Sequence, residues 1–420
     1  MPVANYRGKT ILSALLLLSL VAISCRKLYS PPSIAATNSY LVVEGAINSG
    51  DDSTIIKLSR TVKLSNKTAI NPELNAILTI ESDQNTSYPL KELGNGVYAY
   101  VGLNLNNSYK YRLEIKTSNG KQYLSDYVDV INSPPIDSVN YDTQGTNSGP
   151  GLNIYVNTHD ANNKARYFRW DYQETWMFDS AFLSAYKSNG DTVLARDLIN
   201  DNINVCWRSD TSSTIVLGSS AKLLQNVIAR NPITAITSTS EKIGLEYSIL
   251  VRQYALTADA YNFYSNLKKN TEQLGSIFDA QPSEISGNIH CVSNPSEPVI
   301  GYVSVGSSTS QRIFISKRTL PNTWKTASYY SNCALAADPE NPPSPCCSYA
   351  FVNRYGQTID QVDQYINFNS IYFHPGGDNP LIPVDPIVQP GGLITGYTAT
   401  TKECADCTLR GSNKKPSFWQ

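Results

Sequence analysis

Of the eight cysteines in this 420-residue chain, Cys404 and Cys407 come closest to a recognisable chemistry, as a Cys-x-x-Cys in the closing segment CADCTLRGSNKKPSFWQ. Three readings compete. A redox centre needs the motif to open a helix, whose N-terminus lowers the thiol pKa; Thr408 to Asn413 does not start one, and Pro416 follows. A zinc site from Cys346, Cys347, Cys404 and Cys407 has the right ligand count, but adjacent cysteines are awkward in one tetrahedron and the thiolates must stay reduced. The third reading is a disulfide staple joining the tail to the loop between Cys333 and Cys347. It is the favoured one, with Cys333, Cys346, Cys347, Cys404 and Cys407 as candidates and their pairing open. Phe418 and Trp419 would dock the last residues on the body.

Other reactive constellations are absent from the sequence. His159, His290 and His374 are isolated, and there is no H-E-x-x-H, G-x-S-x-G or phosphate-binding glycine loop. Paired acids such as Asp51-Asp52 sit at turn signals. The expectation is a protein without catalytic residues, cofactor or metal. A hydrolase whose two carboxylates meet only in space remains a minor alternative.

The first 25 residues carry Arg7 and Lys9, an apolar run from Ile11 to Ile23, then Ser24-Cys25. That run is shorter than the roughly 20 residues needed to span a bilayer. It reads as a secretory signal over 1–24, ending in a bacterial lipoprotein lipobox with Cys25 as the lipidated residue. Residues 25–37, with Pro31-Pro32, read as a lipidated tether. The expected location is therefore exported and lipid-anchored, in a compartment where disulfides are the default. Removing Cys25 leaves an odd number of cysteines and predicts at least one free or intermolecular thiol.

The elements that would position these groups are strands. Tyr 27, Gly 24, Pro 23 and Met 2 describe a β-rich exported protein. The net charge of -1 gives no electrostatic case for nucleic acid. Between 38 and 133, short alternating segments recur with turns between them. Tyr109 to Lys116 places Tyr109, Tyr111, Leu113 and Ile115 on one face and charges on the other, and Asn119-Gly120 supplies a hairpin turn. About seven such strands predict an immunoglobulin-like β-sandwich, closed by the break at Ser133-Pro134-Pro135.

Residues 134–420 predict a larger β-rich domain. Its clearest strand runs from Arg166 to Trp176, with Phe168, Trp170, Tyr172 and Trp176 facing the core and Arg169, Asp171 and Gln173 facing out. One surface helix is expected over 258–274, with Thr257 as N-cap and Ala260, Phe263, Tyr264, Leu267 and Leu274 as its stripe. Val299 to Val305 and Arg312 to Ile315 read as a hairpin. From Asn332 on, the chain is rich in Pro, Gly and Cys and needs tying down. Ser53, Ser138, Ser180 and Thr192 follow Asp in a short pattern that resembles an O-glycosylation acceptor of exported bacterial proteins.

The lipobox, YLVVEGAIN, VRQYALTADAYNFYSNLKKNTEQLGSIFDAQPSEISGNI, VIGYVSV and CADCTLRGSNKKPSFW occur in an order that resembles the Bacteroidota lipoprotein family catalogued as domain of unknown function 4249. The resemblance implies an outer-membrane lipoprotein, a non-enzymatic accessory to nutrient uptake or envelope function, of a kind often encoded beside a TonB-dependent receptor. It supplies no catalytic residues. Arg26 and Lys27 stand where surface-exported lipoproteins of the phylum often carry acids, which leaves the membrane face open. A glycan- or surface-binding adhesin is the alternative.

Overall fold

A computed structural model describes residues 39–62, 71–146, 148–188, 193–272, 287–325, 330, 333, 350–352, 358–360, 382–388, 390–392 and 394–419. The signal segment, Cys25, the tether, Thr192, Leu274, Cys346, Cys347 and His374 lie outside these residues. The described chain is mainly β. No described helix is long and apolar enough to cross a membrane.

The first sandwich begins with β1 (Leu41–Asn48), β2 (Ser53–Arg60), β3 (Ile77–Ser82), β4 (Ser87–Pro89), β5 (Lys91–Gly94), β6 (Val97–Val101), β7 (Lys110–Lys116), β8 (Gln122–Ser125) and β9 (Val128–Asp129). Alternation explains the pairing of faces. On β7, Tyr111, Leu113 and Ile115 are buried while Lys110 and Lys116 are exposed. They meet Leu41, Ile56, Leu58 and Tyr98 of the opposite sheet in one apolar core.

The second sandwich places β10 (Ile136–Asp142), β11 (Gly151–His159) and, further on, β17 (Val227–Thr237) in one sheet. Its other sheet is built on β12 (Tyr167–Asp179), joined by β15 (Val205–Thr211) and β16 (Val216–Ser219) on one side and β18 (Glu246–Leu256) on the other. Between them in sequence, β13 (Tyr186–Ser188) and β14 (Val193–Ala195) form a separate hairpin. Phe168, Trp170, Trp176 and Phe178 of β12 pack against Leu152, Ile154 and Val156 of β11. The aromatic row of β12 is thus core, as alternation predicts.

Two sequence expectations change here. The boundary at residue 133 does not complete the first sandwich, because β19 (Ile289–Cys291), β20 (Val299–Gly301) and β21 (Val305–Gly306) return to it. β19 pairs with β8, and β20 and β21 run parallel to β1. A parallel neighbour cannot come from a tight hairpin, and here the connection runs through β10 to β18 of the second sandwich. Nor do residues 299–305 and 312–315 form a hairpin. The latter belong to β22 (Ser308–Ser316), which pairs with β18 as an edge of the second sandwich. Gly301 is the close-approach point of β20: its φ is positive, and a Cβ there would overlap the Val43 carbonyl.

The chain therefore crosses between the sandwiches twice, at residues 131–135 and 305–309, and the crossings are bonded to each other and to the body. Ile131 N donates to Val305 O at 2.9 Å and Ser133 N to Ser307 O at 3.2 Å. Gln253, fully buried, accepts from Trp170 Nε1 at 3.0 Å and donates to Pro134 O at 2.9 Å and Thr158 Oγ1 at 3.1 Å. The Pro-Pro break that reads as a domain boundary is a hydrogen-bonded seam.

The turn after β11 is closed by Asp160. Its carboxylate accepts from Asn162 N at 2.9 Å, Lys164 N at 2.8 Å and Ala165 N at 2.7 Å. Burial alone would raise its pKa, but these three backbone donors outweigh it and hold the carboxyl below its usual value. Asp160→Ala would strand all three donors, and a loss of about 3 kcal/mol is expected in urea unfolding. An unchanged midpoint would contradict that role.

Candidate functional site

The helix Ala258–Glu272 starts where Thr257 Oγ1 accepts from Ala260 N at 3.1 Å, as an N-cap does. Its buried stripe of Ala260, Phe263 and Tyr264 lies over the outward face of β12 and against Tyr302 of the first sandwich. Phe263 and Tyr302 are 5.6 Å apart between ring centroids, and Thr257 Oγ1 is 3.3 Å from Tyr302 Oη. At its far end Glu272 accepts from Ile215 N at 2.6 Å. The helix is thereby fastened to both sandwiches.

Beneath it opens a cleft of about 730 Å³, walled by β1, β2 and β20 on one side and by β12, the Thr211–Ile215 loop, Arg252 and the helix on the other. Its volume is in the range of small-molecule sites. A smaller recess of about 300 Å³ shares Phe263 and Tyr302 with it.

Arg169 is the central group. On β12 it stands opposite Tyr254 of β18, and its guanidinium carbon lies 4.7 Å from the Tyr254 ring and 4.8 Å from that of Tyr264 on the helix. Cation–π contacts of this kind hold the planar group in place. Asp171, two residues along the same face, is 3.9 Å from Arg169 Nη2 and 3.6 Å from Arg252 Nη1. These are ion contacts, too long for hydrogen bonds. Among the described residues Arg169 Nε and Asp171 Oδ1 are buried without a hydrogen-bond partner. Burial by itself lowers the Arg169 pKa, yet Tyr264, Asp171 and Tyr254 more than offset it and raise it above the ordinary value. Tyr254 is pushed up to about 12 by burial and then by the Asp171 charge, so it stays a neutral phenol at physiological pH.

The lining charges are Arg169, Arg252 and Lys57 against Glu44 and Asp171, a net of one positive charge. Apolar and aromatic surface comes from Ile215, Phe263, Tyr264, Leu267 and Tyr302, and hydroxyls from Thr211 to Thr214. This is a set suited to holding a ligand by charge, stacking and hydrogen bonds.

The cysteine candidates lie away from the cleft. Cys404 pairs with Cys333, and Cys407 pairs with Cys206 on β15. The Cys-x-x-Cys does not close on itself. A staple was expected from sequence; Cys206 as a partner was not, and neither were the short helix Lys402–Ala405 and the 3-10 turn Cys407–Leu409 that carry the motif. Cys404 and Cys407 are taken by disulfides, which removes them as zinc ligands. Cys291 is a buried free thiol. The tail is further held by Arg410, which donates to both Glu241 oxygens at 2.7 and 2.6 Å. Trp419 Nε1 donates to Glu246 at 3.0 Å and its ring meets Phe314 edge-on at 5.4 Å. Arg312 covers Phe418 at 3.6 Å.

A family model described as a domain of unknown function, DUF4249, matches residues 26–312. The chain belongs to this family. No curated protein matches it significantly. The DUF4249 match takes in every strand of the first sandwich, the cleft and all of its lining residues, and it ends within β22, before the stapled tail.

Within this DUF4249 chain the hydroxyl candidates differ in access. Ser53 is exposed, Ser138 is half-buried, and Ser180 is buried with its hydroxyl donating to Phe182 O at 2.8 Å. Ser180 is thus closed to a sugar in the folded protein. His159 is an exposed residue bonded to Asp137 at 2.8 Å, and that carboxylate raises its pKa. His290 is likewise exposed, 3.4 Å from Asp126. Neither faces the cleft.

Proposed function

We propose that the protein is a lipid-anchored outer-membrane binding component of a Bacteroidota envelope. It is non-enzymatic, it works with a TonB-dependent receptor, and it offers its ligand the cleft between the two sandwiches. The observation that carries this reading is the Arg169 guanidinium, held over two tyrosine rings at the wall of that cleft, its terminal nitrogens donating no hydrogen bond among the described residues. The Ser24-Cys25 lipobox and the disulfide-stapled body support export, since structural disulfides belong to oxidising compartments. The fastened helix and double crossing support a preformed site over one assembled by closure.

Gentle solubilisation and pulldown of the tagged protein from native membranes is expected to recover a TonB-dependent receptor. It is also expected to yield a mature N-terminal peptide carrying lipid on Cys25. Recovery of the lipidated protein with no receptor would remove the receptor from the proposal.

A further inference from the structure

We infer that the cleft binds a small organic monocarboxylate, with the open edge of Arg169 taking the carboxylate and the helix aromatics taking the carbon skeleton. This rests on the reading of the cleft as the ligand site. The guanidinium carbon lies over the rings of Tyr254 and Tyr264, which fixes the group and leaves its N–H groups to meet a ligand. Nε is sealed from solvent. The side chain retains 24 % exposure, and among the described residues its terminal nitrogens donate no hydrogen bond. Two coplanar N–H groups at a fixed edge match the two oxygens of a planar carboxylate.

Charge selects against more highly charged anions. Asp171 already lies within 4 Å of both arginines, so a phosphate dianion seated at Arg169 would face a neighbouring carboxylate at short range. A monoanion meets half that repulsion. Beyond the arginine the walls turn apolar and aromatic, through Ile215, Phe263, Tyr264, Leu267 and Tyr302. That surface suits an aryl or alkyl chain.

The test is titration of the full mature chain, labelled with nitrogen-15 arginine, with benzoate, hexanoate, benzamide and inorganic phosphate. Benzoate and hexanoate are expected to shift the Arg169 signal saturably in the millimolar range, with neutral benzamide and phosphate far weaker. Arg169→Lys, which keeps the charge and loses the planar fork, should weaken benzoate by about tenfold. Asp171→Asn should instead tighten it severalfold, because Asp171 competes for the same guanidinium. A purely structural pair would give no such gain.

The inference is overturned if neither carboxylate moves the Arg169 signal, if benzamide or phosphate binds as well as benzoate, or if Asp171→Asn weakens binding while the fold is intact. Should Arg169→Lys fail to fold, the sign of the Asp171→Asn effect still decides. Failure of the receptor pulldown leaves this titration untouched, so the two proposals fail separately.

Discussion

Replacing Cys206 and Cys407 together by alanine is expected to destabilise the protein by up to about 5 kcal/mol, more than removal of the other disulfide. The bridge spans 201 residues, and in the chain-entropy model a loop of that length restricts the unfolded ensemble by about that amount. The Cys333–Cys404 bridge spans 71 residues and is worth about 4 kcal/mol by the same reasoning. Packing adds to the first. Cys206 and Cys407 are fully buried in the core of the second sandwich beside Phe178, and Arg410, three residues beyond Cys407, lies over the Phe178 ring at 4.9 Å. Urea unfolding of both double variants measures the ordering. Non-reducing peptide mapping should link the Cys206 peptide to that of Cys407, and the Cys333 peptide to that of Cys404. A bond between Cys404 and Cys407 would refute the staple.

The second large effect belongs to Glu297, on the segment that returns to the first sandwich. Its side chain is 8 % exposed and pairs with Lys121, accepts from Tyr123 Oη at 2.8 Å and lies 3.8 Å from Arg60 Nη1. Arg60 is also held by Glu73 at 2.6 Å. Burial alone would raise the Glu297 pKa, but the Lys121 and Tyr123 hydrogen bonds prevail and lower it. The Tyr123 hydroxyl is pushed up by burial and by Glu297. Glu297→Ala would remove the acceptor of the Tyr123 hydroxyl and the ion-pair partner of Lys121, at a cost of about 3 kcal/mol.

Because the folded pKa lies below the ordinary carboxylate value, the contribution of Glu297 is fully present above about pH 4.5. It is lost as the pH falls through the lower folded value. The stability gap between native protein and Glu297→Ala should therefore be widest near neutrality and shrink in acid. Cys291 provides a local readout. It is buried on β19, just upstream of Glu297, so faster thiol labelling in the variant would report release of the returning strands. Equal labelling rates and equal stability would refute the role of Glu297 as their tie.

Local patterns carried much of the architecture. The alternation of Lys110 to Lys116 and the spacing of Ala260, Phe263 and Tyr264 state which face is buried, because burial acts on side chains a few residues apart. They do not state which strand lies alongside. Residues 299–301 are a short apolar run that satisfies many edges equally well. Their choice of β1 over β22 depends on Gly301 admitting the Val43 carbonyl and on the Glu297 tie upstream.

The cleft was hidden for a related reason. Arg169 and Asp171 fall on the polar side of an alternating strand, which ordinarily means solvent. Only the helix some 90 residues later covers them. One signal did exist: Phe263 and Tyr264 needed a surface to sit on, and the outward face of β12 was the polar one without an assigned cover. Cys206 was equally silent, a single cysteine in a strand with nothing nearby to name Cys407.

β1 has a mechanical consequence. It is bonded on one edge to β2 along six residue pairs and on the other to β20 and β21, and all of those bonds lie across the strand. Tension entering the described body through Tyr40 runs along β1, so it loads those ladders in shear, many bonds at once, instead of peeling them one by one. The sandwich meets a pull from its N-terminal side in its strongest direction, and part of the load passes to β20 and β21, which the chain supplies only after β10 to β18.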